Sequence, residues 1–127
     1  MQLLDTDIVV DLLRCHQPAL DWLESLGDEA LLVPGFVVME VLQGCRNKAE
    51  LRAAREALED YEVVWPSELA CRRALSVFAE CYLKDGLGII DALIGQVAVE
   101  FGIRLATFNQ KHYASVPDLQ TIQPYAR

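Results

Sequence analysis

The sequence predicts a single α/β domain with a three-layer α/β/α fold, in which a short-stranded, mostly parallel central sheet lies between helices. Three observations support this prediction. Short apolar runs alternate with amphipathic segments of helical period, which is typical of parallel strands joined by crossover helices. The 127 residues are 53% apolar, enough for a core without disulfides or a structural metal. No repeat or linker interrupts the chain, so one domain is expected to fill residues 1–127.

The first half of the chain contains two predicted strands and four predicted helices. Leu3-Leu4 is the first strand, and Thr6 or Asp7 is a candidate N-cap for a helix that runs through Ile8 to Leu13. The elements that follow are a helix from Pro18 to a stop at Gly27, a strand at Leu31-Leu32-Val33, a helix from Phe36 to Gln43, and a helix with the inward stripe Leu51, Ala54, Leu58 and Tyr61.

The second half continues the alternation. Pro66-Ser67 begins a long helix that Gly86 ends, because glycine readily adopts the left-handed conformation that closes a helix. Ile89 to Phe101 forms a helix that is apolar almost all round and is closed by Gly102. One face of the long helix carries Cys71, Leu75, Phe78 and Tyr82. The third, fourth and fifth strands are predicted at Val63-Val64-Trp65, Arg104-Leu105-Ala106-Thr107 and Thr121-Ile122.

The charge of the chain is unevenly distributed. Residues 1–63 carry 13 acidic and 5 basic side chains, whereas residues 64–127 carry 6 of each, so the net charge of −8 comes from the first half. An acidic balance disfavours non-specific binding to polyanions, and a nucleic-acid substrate would need metal ions or a local basic rim. No run approaches the roughly 18 apolar residues of a membrane span, and Asp5 comes too early for a signal peptide. We therefore expect a cytoplasmic protein with no membrane contact.

Polar side chains follow two of the predicted strands. Asp5 stands at the carboxyl end of the first strand, and Thr107 with Asn109 stands at the end of the fourth. Ligands of open parallel sheets bind beyond the carboxyl ends of the strands, where the strand order reverses. If these two strands are neighbours, their ends share one cleft.

Two further acids lie in unusually apolar surroundings. Neither Glu40 nor Asp91 has a lysine or arginine three or four residues away, so no ion pair within the helix is available. Each could point to solvent or cap a neighbouring helix. Together with Asp5 and the amide of Asn109, however, they form an all-oxygen set, which is the ligand type that Mg²⁺ or Mn²⁺ prefers. Asp5, Asp91 and Glu40 are therefore candidate metal ligands.

Several other residues are candidates for supporting roles. Thr6 and Thr107 could orient the ligands through their hydroxyl groups, and Asp7 could cap the first helix or contact the metal through water. His112 is near enough to Asn109 to touch a substrate phosphate. The best candidates for a basic rim that contacts RNA are Arg46, Lys48, Arg52 and Arg55. Such residues are also typical of a solvated helix surface.

Four segments in order resemble the PIN domain family, specifically VapC-type toxins. They are Leu3 to Leu13 (LLDTDIVVDLL), Glu40 to Gly44 (EVLQG), Ile90 to Ala98 (IDALIGQVA), and Leu105 to Asn109 (LATFN). The resemblance covers nearly the whole chain and implies a PIN-like fold. It also implies a metal-dependent endoribonuclease that is the toxin of a toxin–antitoxin pair, forms a homodimer, and is silenced by a cognate antitoxin whose tail enters the acidic cleft.

The resemblance also implies roles for individual residues. Asp5, Glu40 and Asp91 match the acidic metal ligands of the family, and Asn109 falls at the fourth catalytic site, which is often aspartate. The asparagine removes one negative charge there. His112-Tyr113 stands where an acid followed by an aromatic residue is common. The homodimer surface is expected on the first helices, at Val9, Leu12, Leu13 and Trp22.

Two other functions remain open from the residues. A PIN fold weakened in catalysis through Asn109 could act as a binding module. The opening motif Asp5 to Val9 (DTDIV) also resembles that of haloacid-dehalogenase-type phosphatases, whose first aspartate is a nucleophile. That activity would require a later lysine, for which Lys84 and Lys111 are the candidates.

Overall fold

The protein forms five parallel strands in one sheet with the order β3-β2-β1-β4-β5. The computed structural model describes all 127 residues. The strands are β1 (Gln2–Leu4), β2 (Leu31–Pro34), β3 (Glu62–Val64), β4 (Arg104–Ala106) and β5 (Thr121–Ile122). The order reverses at β1, because the chain builds outward to β3 and then returns to place β4 on the other side of β1. This confirms the predicted three-layer fold with a short-stranded parallel sheet.

Six helices cover the two faces of the sheet. They are α1 (Thr6–Leu13), α2 (Gln17–Ser25), α3 (Gly35–Gln43), α4 (Lys48–Leu58), α5 (Glu68–Asp85) and α6 (Ile89–Phe101). Parallel crossovers are almost always right-handed, so connections that run in opposite directions along a sheet lie on opposite faces. The helices α1 to α4 therefore form one layer, and α5 packs against α6 in the other. None of the helices is both long and apolar enough to cross a membrane.

The core lies along the two central strands. Leu3 and Leu4 of β1 and Leu105 of β4 are completely buried, as expected for strands covered on both faces. Register pairs Leu4 with Ala106, so the residues that follow, Asp5 and Thr107, leave the sheet at the same level. The two strands are neighbours, which is the condition for the predicted shared cleft at their ends.

Helix α1 begins earlier than the sequence predicts. Thr6 is already helical, and the N-cap is Asp5, whose Oδ1 accepts the Thr6 backbone N–H at 2.8 Å. The prediction that Thr6 or Asp7 caps this helix is therefore wrong. Strand β1 brings Asp5 to the edge of the sheet and passes directly into α1. Asp5 therefore lies between a strand and a helix, and both elements restrict the position of its backbone.

The buried faces of α4 and α5 also differ from the prediction. Leu51 of the predicted inward stripe of α4 is 39% exposed. On α5 the residues with small side chains face the core, namely Ala70, Ala74, Val77 and Cys81. Leu75 and Tyr82 on the predicted face are exposed instead, because the tight packing of α5 against α6 requires small residues at the contact.

The residues expected to form a dimer surface on the first helices are buried or partly buried. Val9 and Leu12 are buried in the core, and Leu13 and Trp22 pack against that core. Helices α2 and α3 pack against α1 and cover its apolar face. Helix α5 carries more exposed large apolar side chains than any other element, including Leu75 and Tyr82, and Ile89 at the start of α6 is exposed as well.

Candidate functional site

Asp5 is the buried centre of the site. It is 3% exposed and lies where β1 and β4 end side by side. Its Oδ1 accepts the Thr6 N–H at 2.8 Å, and its Oδ2 accepts the Thr107 hydroxyl at 2.7 Å. The Thr107 hydroxyl also accepts the Asn109 N–H at 3.0 Å. The predicted orienting role of Thr107 thus has a geometric basis, because its hydroxyl bond fixes the rotamer of a carboxylate with almost no solvent contact.

Asp91 reaches the same place from the opposite layer. It lies in the first turn of α6, where its Oδ2 accepts the backbone N–H of the N-cap residue Gly88 at 3.4 Å. The Tyr113 hydroxyl lies 3.3 Å from Asp91 Oδ1 and 3.1 Å from Asp5 Oδ2. One phenol therefore bridges the two carboxylates, which are 86 positions apart in the chain.

Glu40 joins the cluster through Thr6. Helix α3 packs against α1, and Glu40 Oε1 accepts the Thr6 hydroxyl at 2.9 Å. Thr6 therefore contacts Asp5 through its backbone and Glu40 through its side chain. The predicted supporting role of Thr6 has a direct geometric basis in these two bonds.

Asp7 and Asn109 form the outer edge of the site. Asp7 Oδ1 accepts the N–H of Ile8 at 2.8 Å, and its Oδ2 accepts the N–H of Phe108 at 2.9 Å. The Asn109 side-chain amide lies 3.5 Å from the same Oδ2. Asn109 thus contacts Asp7 rather than Asp5, and Asp7 holds the segment after β4 against the start of α1.

The site is negative and lacks a compensating cation. The four salt bridges of the chain involve Glu29, Glu50, Glu68 and Asp11, and none involves the site carboxylates. Burial, together with the neighbouring charge of Asp7, raises the pKa of Asp5 to about 7, although its bonds to Thr107 and Thr6 oppose the shift. Burial also raises the pKa of Asp7. A cation placed here would relieve both costs.

The donor set fits a hard divalent cation in its chemistry but is not assembled into one coordination sphere. No three histidine, cysteine, aspartate or glutamate side chains lie close enough to hold one ion as they stand. The structure brings Asp5 and Asp91 to one hydroxyl and leaves Glu40 one residue away, behind Thr6. All the available donors are oxygens, and the carboxylates carry unbalanced charge, which are the features that Mg²⁺ and Mn²⁺ sites require.

Comparison with known proteins agrees with this architecture. The family model for the PIN domain matches residues 3–118, which include every site residue described above. The chain belongs to the PIN domain family. It is 30% identical over 123 residues to Ribonuclease VapC10 of Mycobacterium tuberculosis, an alignment that covers 94% of this chain and 91% of that protein.

Solved structures share the fold over nearly their whole length. A toxin–antitoxin complex from Klebsiella pneumoniae superposes with a TM-score of 0.80 at 25% identity, covering 100% of both chains. VapBC2 from Rickettsia felis, bound to a DNA fragment from its promoter, superposes with a TM-score of 0.79 at 22% identity, covering 95% of this chain and 96% of that one. At 22% identity this second likeness concerns the fold alone.

An open groove of about 770 Å³ runs across α1, α3 and α4 of this PIN domain, and Glu40 is the residue of the acidic cluster that lines it. Glu40 lines it together with Arg14 and Arg46. Arg46 is 86% exposed but donates to Glu50 through its Nε at 3.1 Å, so an anionic ligand would compete with that exposed ion pair. Sequence reasoning missed Arg14, because a single arginine after a helix carries no local signal.

His112 lies in the segment that follows β4, three residues after Asn109. Its backbone N–H donates to the Asn109 carbonyl at 2.9 Å, and a Cβ at Gly86, at the end of α5, would lie 4.0 Å from its ring. The ring is exposed and stays a candidate for phosphate contact. Lys84 and Lys111, the candidates for the phosphatase function, are exposed and form no salt bridge with the site acids.

Asp11 belongs to a second polar cluster that the sequence does not suggest. It is 6% exposed, accepts the Tyr125 hydroxyl at 2.8 Å and pairs with Arg127 at 3.0 Å. Asp11 is therefore buried and paired rather than solvated. Arg127 also lies over the Phe108 ring, 4.8 Å from its centroid, so the last residues of the chain pack beside the segment after β4.

Proposed function

We propose that this PIN domain is a metal-dependent endoribonuclease that hydrolyses RNA phosphodiester bonds as the cytoplasmic toxin of a toxin–antitoxin pair. The observation that carries the proposal is the meeting of Asp5 and Asp91 at the β1–β4 switch point, with Glu40 beside them and no lysine or arginine side chain paired with these acids. The activity named for the Mycobacterium tuberculosis relative supports it.

The residues at this switch point would hold Mg²⁺ or Mn²⁺. Asp5 and Asp91 are the proposed principal ligands, and Glu40 would bind directly or steer a water molecule. When bound, the ion would supply charge neutralisation at the phosphate and a more acidic water. Thr107 and Thr6 would keep the carboxylates in orientation through the bonds described above.

The remaining site residues would act on the substrate and the water. Burial of Asp5 favours its proton-bound form without a cation, so loading of the site is coupled to loss of that proton. Asn109 offers an uncharged amide where the family often has aspartate, and it would contact the phosphate or a metal-bound water. Arg14 and Arg46 would balance phosphate charge along the groove, and His112 would do so on the other side.

The same groove suits an inhibitory partner. Its floor is apolar, with Val10, Leu13 and Val41, and its rim carries both signs of charge. We propose that a cognate antitoxin places an apolar segment along this floor and a basic side chain against the site carboxylates. The Klebsiella pneumoniae neighbour, described as a toxin–antitoxin complex, supports this partner class.

We also propose a homodimer, on a different surface from the one that the sequence suggests. An apolar groove of about 300 Å³ lies between α5 and the start of α6, and Leu75 and Ile89 beside it are 72% and 66% exposed. Monomers rarely expose a continuous patch of this kind without a partner. A second copy related by a two-fold axis would cover the same residues on both chains.

The test is cleavage of a panel of structured RNAs by the purified protein with Mg²⁺, Mn²⁺ or a chelator. We expect cleavage only with metal, and a loss of at least about 10²-fold in Asp91→Asn, which removes a ligand charge with little change of shape. Asp28→Asn removes an exposed acid that forms no hydrogen bond, and it should cleave as the wild type does.

The outcome separates the alternatives. Cleavage that survives chelation would refute the metal mechanism. If neither metal allows cleavage while the protein still binds a partner through the groove, the chain acts as a binding module. Asn109→Asp is then the first variant to test for restored cleavage.

A further inference from the structure

Tyr113 occupies the space between the two principal acids of the site. It is 2% exposed, and its hydroxyl lies 3.1 Å from Asp5 Oδ2 and 3.3 Å from Asp91 Oδ1. A phenol has one proton to donate, and here that proton serves two carboxylates. The hydroxyl is thus the only group that links the two acids in the metal-free protein.

The packing of the ring places the hydroxyl there independently of the bonds it makes. The Tyr113 ring lies over Gly95, where an added Cβ would be 3.8 Å from ring carbons Cδ1 and Cε1. Gly95 is one helical turn after Asp91 and therefore on the same side of α6. The ring therefore packs against this turn of α6, and a phenylalanine at position 113 would keep this packing and lose only the hydroxyl.

The Tyr113 hydroxyl and a cation shared by the two acids would compete for the same oxygen atoms. Oxygens that bind one Mg²⁺ lie about 2.1 Å from it, so two such oxygens are at most about 4 Å apart. The hydroxyl lies within hydrogen-bond distance of one oxygen of each carboxylate, Asp5 Oδ2 and Asp91 Oδ1. An ion that takes these two oxygens as ligands would compete with the hydroxyl for their lone pairs.

We propose that the Tyr113 hydroxyl is an internal competitor of the divalent cation. Without an ion it stabilises the site by bridging Asp5 and Asp91, and it weakens metal binding because an entering ion competes with it for the same two oxygens. The inference rests on the proposed metal site and adds a positioning residue that controls how tightly that site is filled.

The test is Tyr113→Phe with metal affinity and metal-free stability as readouts. We expect Mn²⁺ to bind about tenfold more tightly by calorimetry, which corresponds to about 1.4 kcal/mol. We also expect a lower Tm in chelator and a larger rise in Tm on addition of Mn²⁺ than in the wild type. Tyr125→Phe is the matched control, because it removes a hydroxyl that donates to Asp11 at 2.8 Å outside the site. It should lower the Tm without changing the Mn²⁺ affinity.

A second measurement uses the wild type alone. Addition of Mg²⁺ should change the near-ultraviolet difference spectrum of tyrosine, because the Tyr113 hydroxyl loses a carboxylate partner. The change should persist in Tyr125→Phe. This readout does not depend on whether the Tyr113 variant folds.

The results have distinct meanings. Equal or weaker Mn²⁺ binding by Tyr113→Phe, no binding by either protein, or a wild-type spectrum that Mg²⁺ leaves unchanged would overturn the inference. Binding by the variant alone would support it strongly. RNA cleavage by the wild type tests the proposed nuclease separately, so metal-dependent cleavage with unchanged Mn²⁺ affinity in Tyr113→Phe would remove the inference and leave the proposed function standing.

Discussion

The burial of Asp5 predicts that the metal-free protein loses stability as the pH rises. The pKa of this carboxyl is about 7 in the folded chain and 3.8 in its ordinary state, so the folded chain binds the proton more tightly. The resulting stabilisation is present in full below the ordinary pKa and is lost as the pH rises through about 7. The two values correspond to about 4 kcal/mol in total, of which about 2.5 kcal/mol is lost between about pH 5 and about pH 8.

The assay is urea denaturation in chelator at a series of pH values, with the free energy of unfolding as the readout. Asp7, whose pKa is also raised, contributes with the same sign. The partly exposed Glu29 and Glu50 and the exposed Glu100 have lowered pKa values, so their contributions are lost only as the pH falls below the ordinary glutamate range. Asp5→Asn removes the titrating group and should flatten most of the slope.

A free energy of unfolding that stays constant or increases from about pH 5 to about pH 8 would refute the argument from burial. A slope that persists unchanged in Asp5→Asn would assign the effect to another group. Because the cation and the proton compete for the same carboxylate, Mn²⁺ should stabilise the protein more at about pH 8 than at about pH 5.

Three further predictions follow from the packing. Thr107→Val removes a buried donor to a carboxylate and should lower the free energy of unfolding by about 1.5–3 kcal/mol at a pH where that carboxylate is ionised, measured with urea. Gly35→Ala places a Cβ against the Trp65 ring and should cost about 1–3 kcal/mol in the same assay. Leu75→Glu places a charge in the exposed apolar groove of α5 and should convert a dimer to a monomer by light scattering.

Each of these predictions has a control. Thr107→Ser keeps the hydroxyl and should retain most of the stability, and equal losses in the two variants would exclude the hydrogen bond as the cause. The cost of Gly35→Ala should shrink when Trp65 is also replaced by alanine, because the clash is then absent. Leu69→Glu changes an exposed leucine on the opposite side of α5, and a monomer in that variant as well would argue against the proposed surface.

Much of the fold follows from local pattern. Short apolar strands that alternate with helices predict a parallel three-layer sheet, and α6 begins and ends at Ile89 and Phe101 as the apolar run and Gly102 indicate. The boundaries that moved by a residue or two, such as the start of α1 at Thr6, did so because Asp5 acts as cap and strand end together. Sequence reasoning could not separate these roles.

The site was predictable where the type of a residue and its sequence neighbours are enough to indicate its chemistry. Asp5 and Asp91 are acids in apolar surroundings without basic neighbours, and the structure joins them as the pattern indicates. Asn109 follows the correct strand but faces Asp7, since the turn after β4 directs its amide outward. Tyr113 carries no such signal, because a buried tyrosine near the end of a chain is ordinarily a core residue.

The sequence by itself determined that helices and strands alternate, that most helices have an apolar stripe, and that polar side chains follow two of the strands. Tertiary structure alone decided which stripe of α5 is buried and which hydroxyl lies between the acids. The periodicity of hydrophobic residues is a local property of the sequence. It shows that a helix has an apolar face, but it does not show which element covers that face. The Tyr113 bonds span 108 and 22 positions, and so depend on how distant layers pack rather than on any neighbouring residue.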